Sequence, residues 1–156
     1  MNSEVQSIIS NLQSVLNGEP WYGRSVYALL EEIDPENVYK KPNESSHSQI
    51  SLLYHMITWS EFTLKSLEKA GPDVIAAIEK MDWREINSPD HSWENGLAEF
   101  KLVHEKVIEL LNQKDDAFLS EIVNQRKFNY RFMLNGLIQH NIYHLGQIAY
   151  IKKTFN

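Results

Sequence analysis

The stretch NYRFMLNGLIQHNIYHLGQIAYIKK, residues 129–153, does most to restrict the fold. Its apolar residues recur at intervals of three and four and cover nearly the whole circumference of a helix. Such a helix must be packed on several sides, so it is expected to be the most buried in the chain. Lys152-Lys153 falls near its carboxyl end, where positive charge complements the helix dipole. Three other long runs share the helical period. Val5, Ile8, Ile9, Leu12, Val15 and Leu16 follow a capping-box pair, Ser3 and Gln6, and stop at Gly18. Ser46 and Gln49 repeat that pair before ISLLYHMITWSEFTLKSLEKAG, apolar around most of its circumference and ended by Gly71-Pro72, which is expected to be central. Ser92 can cap a run in which Trp93, Leu97, Phe100, Val103, Val107, Leu110 and Leu111 share one face as far as Asn112.

Shorter helices are expected at SVYALLEEI, DVIAAIEKM and DDAFLSEIV, in the connections between the long ones. No stretch alternates with period two between turn signals, no repeat is evident, and no long linker divides the chain. The expected fold is therefore all-α: a single domain over residues 1–156, built as a four-helix bundle with long connections carrying short extra helices. Connections one-to-two and two-to-three exceed what an antiparallel hairpin requires, which leaves room for consecutive helices to run parallel.

Composition narrows the function. A formal net charge of −6 with no dense basic stripe argues against nucleic acid and anionic membrane as partners, because phosphate binding needs clustered Lys and Arg. The amino-terminal MNSEVQSIISNLQSVLNGEP lacks a basic, apolar signal sequence, and no stretch reaches the roughly 18 apolar residues of a membrane span. A cytoplasmic location is the expectation. The absence of Cys fits a reducing compartment and leaves only His, Asp and Glu to hold a metal.

His140 and His144 lie four apart in the last long helix, one above the other on one face. Two imidazoles are too few for a transition metal, which takes three or four protein ligands. Of the remaining histidines, His55 lies mid-helix on a stripe with Leu52, Trp59 and Phe62 and is the leading third ligand. His104, on the stripe of Trp93, Leu97 and Phe100, competes with it, whereas His47 and His91 sit near helix starts and are expected to face water. Three neutral imidazoles would leave a coordination position open, as in catalytic sites. Asn141, Gln147, Tyr54, Tyr143 and Glu61 are near enough in sequence to hold their outer ring nitrogens. Spacing alone also fits hydrogen-bonded core histidines, and without a Glu after the first His there is no H-E-x-x-H motif.

SQISLLYHMITW in the second long helix together with HNIYHLGQI in the last resembles the DinB-like superfamily, which includes the YfiT-like metal-dependent hydrolases. The aromatic WYGRSVYALLEEI looks like the family's segment leading to the second helix. The resemblance implies a four-helix bundle with one metal-binding histidine on the second long helix and two on the fourth; by motif these are His55, His140 and His144. It also implies a divalent ion, for which ligand chemistry ranks zinc first and nickel next. Characterised members use low-molecular-weight thiols such as bacillithiol or mycothiol, others are labelled hydrolases, and dimers are common. The expected function is therefore metal-dependent hydrolysis or thiol transfer on a small-molecule substrate, in a homodimer, with a non-catalytic metal- or ligand-binding stress protein as the alternative. Arg24, Arg126 and Arg131 are the basic residues available to contact an anionic cofactor, with a surface role the competing reading.

Overall fold

The computed structural model describes residues 2–155 and is all-α, with six helices and no strand among those residues. Helices α1 (Ser3–Asn17), α3 (Gln49–Leu67), α5 (Trp93–Leu111) and α6 (Tyr130–Phe155) form the bundle. The short helices α2 (Val26–Glu31) and α4 (Pro72–Glu79) lie in the connections. Cross-helix pairs set the directions. Tyr130 reaches the Ser66 carbonyl at one end of α3 and Gln49 donates to the Ile148 carbonyl at the other, so α3 and α6 are antiparallel. Tyr54 donates to the Ser92 carbonyl while Ser60 meets His104, so α3 and α5 run parallel. Gln6 bonds Asn112, and Leu16 and Asn17 lie beside Glu105 and Ile108, which makes α1 antiparallel to α5. The topology is up-down-down-up, and the long connection from α3 to α5 is what returns the chain for a parallel pass.

The α3–α5 contact is close because Gly96 has no Cβ: one built there would lie 2.9 Å from Leu53 Cδ2 and 3.0 Å from Tyr54 Cε2. Consequently α3 is covered on almost every side, from Ile50 through Leu53, Met56 and Ile57 to Leu67. It, and not α6, is the most buried helix. Although α6 is apolar nearly all round, it leaves Phe132, Tyr143 and Tyr150 exposed, because its outer side has no neighbour among the described residues. Burial of its remaining face, including Leu134, Leu137, Ile138, Leu145 and Ile148, joins it to the core.

Ser92 caps α5, its hydroxyl accepting from the Asn95 N–H, as the sequence implies. The cap of α3 is Ser48, accepting from the Ser51 N–H, and not Ser46. Asn2 occupies the cap position of α1 without a side-chain bond, and the free amides there are met instead by Asp116, whose Oδ1 accepts from Val5 N–H at 2.8 Å. That tertiary acceptor replaces the Ser3–Gln6 box. DDAFLSEIV forms only a 3-10 turn, Asp116–Ser120, because the chain then extends to bridge Ile122 with Asn129. No helix among the described residues is long and apolar enough to cross a membrane.

Candidate metal centre

Antiparallel packing of α3 on α6 brings one turn of each helix face to face at mid-height. His55 from α3 meets His140 and His144 from α6, and their Nε2 atoms converge: 3.0 Å from His55 to His140 and 3.1 Å from His55 to His144. One ring nitrogen from each lies within 4.8 Å of the other two. His55 and His144 are buried and His140 half-buried.

The outer nitrogens determine what the inner ones present. His55 Nδ1 lies 2.5 Å from Asp82 Oδ1, and since a carboxylate only accepts, Nδ1 carries the proton and Nε2 is a bare lone pair. His144 Nδ1 likewise donates to Gln147 Oε1 at 2.6 Å. Two lone pairs therefore face each other at 3.1 Å. His140, whose buried Nδ1 has no partner, completes the set: its Nε2, 3.0 Å from His55 Nε2, can donate a proton to that lone pair or, as a lone pair itself, join the other two on a cation. The spacing suits one: with Zn–N bonds of about 2.0–2.1 Å, ligands at right or tetrahedral angles stand about 2.8–3.4 Å apart. Burial pushes all three imidazoles toward their neutral, ligating form. His140 falls to about 3, with His144 and His55 adding to the burial effect. His55 and His144 are lowered by burial despite the opposing bonds from Asp82 and Gln147. The donors fit a divalent transition metal with at least one position left for an exogenous ligand.

Asp82 and Trp83 carry no signal in the sequence, yet both serve His55. The turn after α4 is tied to α3 by Arg84, whose Nη2 donates to Thr58 Oγ1 at 2.8 Å and whose Nε donates to the Met81 carbonyl. With that anchor, Asp82 reaches a histidine 27 residues away in sequence. Trp83 lies flat on the His55 ring, centroids 3.7 Å apart, and presents its other face to His47 at 3.8 Å. It does so at φ 48°, a left-handed backbone that a bulky residue adopts only when tertiary contacts hold it there. His47 is exposed, as its place near a helix start implies, and forms the outer leaf of this stack.

Among the five residues considered for the outer nitrogens, only Gln147 fills that place. Asn141 donates to His104 Nε2 at 2.9 Å. His104, fully buried, donates from Nδ1 to the Phe100 carbonyl at 2.8 Å and stands apart from the cluster as a core residue. Its burial pushes its pKa down to about 4. Tyr54 bonds Ser92, Glu61 stands with Glu99, and Tyr143 meets His144 only edge-on.

A family profile described as the DinB superfamily matches residues 23–148, a span containing all three histidines. The chain belongs to the DinB superfamily. No curated protein matches it. For this DinB-superfamily chain, the helix packing and the buried histidine cluster agree with the bundle that its motifs imply.

An open cleft of about 630 Å³, walled by His47, Leu52, Tyr143, Gln147 and Tyr150, lies on the Gln147 side of the cluster, reaching it through the Gln147 bond to His144 and not through the three histidines themselves. None of the described residues that line it is Lys, Arg, Asp or Glu. The three arginines proposed as anion contacts are engaged elsewhere: Arg24 with Glu32, Arg126 with Glu79 and Arg131 with Glu4.

Proposed function

We propose that this chain is a metal-dependent hydrolase of small, uncharged molecules, with His55, His140 and His144 holding a divalent ion, zinc in the first instance and nickel next. The observation that carries the reading is the pair of bare Nε2 lone pairs aimed at one another, a donor arrangement suited to a cation. The ion would supply Lewis acidity and bring the pKa of water toward neutrality. Asp82 and Gln147 keep the His55 and His144 rings in the ligating tautomer and orientation, and Trp83 shields the His55 ring from solvent. In the overall reaction a bond forms from water oxygen to an ester- or amide-like carbon, the bond to the leaving group breaks, and the water proton ends on that group.

Two features favour hydrolysis over thiol transfer. The cleft beside the cluster lacks the basic side chains that an anionic, carboxylate-bearing thiol would need. The arginines are already paired with carboxylates. Metal analysis of protein prepared without an affinity tag, beside His55→Ala, tests the centre: about one divalent ion per chain is expected in the first and none in the second. The loaded protein should then cleave neutral esters without added thiol; turnover that requires a thiol would overturn the hydrolase reading in favour of transfer.

A further inference from the structure

The seam between α3 and α6 holds a second recess on the other side of the histidines. It is an apolar groove of about 180 Å³, lined by Trp59, Phe62, Phe132, Gly136, Leu137 and His140. Its one hydroxyl, on Thr63, is already donated to the Trp59 carbonyl at 2.9 Å, which leaves the Trp59 indole N–H and the His140 ring as the polar groups among otherwise apolar walls. His140 is both a wall of this groove and a member of the cluster. The uncharged cleft begins on the opposite side, at Gln147, which holds His144. Along α6 the order is groove, cluster, cleft, on successive turns of one stripe.

Two glycines mark the two recesses. A Cβ at Gly136, in the groove, or at Gly146, in the cleft, would meet nothing within 4 Å. Gly96 is needed for helices to touch, but neither of these is required by packing among the described residues. Each weakens the helix relative to Ala. A side chain at either position would enter space that stands open on the two flanks of the histidines.

We propose that this seam is a two-sided substrate site: the groove beside His140 takes an apolar acyl arm, and the cleft beside Gln147 takes the neutral, polar remainder of the molecule. Apolar walls alone suit the first part, since a closed apolar cavity of about 150 Å³ takes up benzene. A groove of 180 Å³ therefore accommodates a phenyl ring or a six-carbon chain. Uncharged walls with Ser, Asn, Gln and Tyr suit the second. An apolar group on one side of the scissile bond and a polar one on the other is the pattern of a fatty or aromatic acyl group joined to a neutral alcohol or amine. This names the substrate class for the hydrolase reading and rests on it for turnover, though not for binding.

Binding is tested first, on metal-free protein, by titrating benzamide at millimolar concentrations and following the Trp59 indole N–H by NMR. A saturable shift is expected in the wild type, weakened at least tenfold in Gly136→Leu, which fills the groove, and less in Gly136→Ala. Melting temperature and zinc content of each variant confirm that fold and cluster are intact. No shift at Trp59, or equal affinity in Gly136→Leu, would overturn the proposal. So would a Gly136→Leu change that acts by splitting a dimer, since the groove would then be an interface between copies. Turnover is tested on glycerol monoesters with loaded protein: kcat/KM should rise about fourfold per methylene from acetyl to hexanoyl, the equivalent of about 0.8 kcal/mol each. Hydrolysis with a flat chain-length profile and no benzamide binding would sink the acyl site while leaving the hydrolase reading standing. Benzamide binding without any turnover would do the reverse.

Discussion

Removing the carboxylate of Asp82 should weaken metal binding without touching a ligand atom. The bond from His55 Nδ1 to Asp82 Oδ1 is 2.5 Å long and charge-assisted, and it dictates that the proton sits on Nδ1. Asp82→Asn keeps the shape but removes the charge. The difference between a charged and a neutral acceptor is about 1–1.5 kcal/mol, which corresponds to about a tenfold rise in the zinc dissociation constant. Asp82→Ala removes the acceptor altogether and frees the ring to rotate or to carry its proton on Nε2, where it cannot ligate. Loss of such an outer partner costs 10- to 100-fold in affinity, about 1.4–2.7 kcal/mol, and the alanine variant is expected at the upper end. Competition against a chromophoric chelator at pH 7.5 measures this directly, with circular dichroism to confirm unchanged helix content. Trp83 fluorescence should also respond, because the same turn stacks that indole on His55. Zinc affinity equal to wild type in Asp82→Ala would refute the tautomer argument on which the whole site is built.

Other outcomes follow from the same structure. His55→Ala, His140→Ala and His144→Ala should each lose the bound ion in elemental analysis, whereas His104→Ala should retain it while losing about 1–3 kcal/mol of stability, because the Asn141 amide is left without its acceptor. His104 also makes the fold sensitive to acid. Its folded-state pKa of about 4 lies below the unfolded value of about 6.5, so the unfolded chain takes up the proton first. Stability present above pH 6.5 is then lost progressively as pH falls toward 4, by about 3 kcal/mol, and the loss levels off below that. Urea unfolding of metal-free wild type and His104→Gln across this range should differ by that slope; parallel curves would contradict it. Gly136→Ala should raise stability by about 0.5–1 kcal/mol in thermal denaturation, since its Cβ enters open space in a helix. Gly96→Ala should forfeit such a gain through its contacts with Leu53 and Tyr54.

The helices, and the pairing of His140 with His144, could be read from the sequence because both express a local regularity, 3.6 residues per turn, that neighbours in the chain impose on one another. His55 stands out among the remaining histidines on the same ground, the stripe it shares with Leu52, Trp59 and Phe62. Resemblance of the two helical motifs to the DinB family then joined the three. Exact caps were harder, because Ser46 and Ser48 offer similar chemistry within one turn, and at α1 a distant carboxylate, Asp116, satisfied the amides. Apolar content could not rank α3 against α6, since it counts the faces that could be covered and not the neighbours that cover them. Asp82 and Trp83 reach the cluster because Arg84 pins the turn after α4 against Thr58, and His47 joins them from just before α3 by stacking on Trp83. Periodicity determined which residues share a face of one helix. Which faces meet, which nitrogens lose their protons there, and what space remains on either side were decided by packing between elements distant in the chain, for which no spacing rule exists.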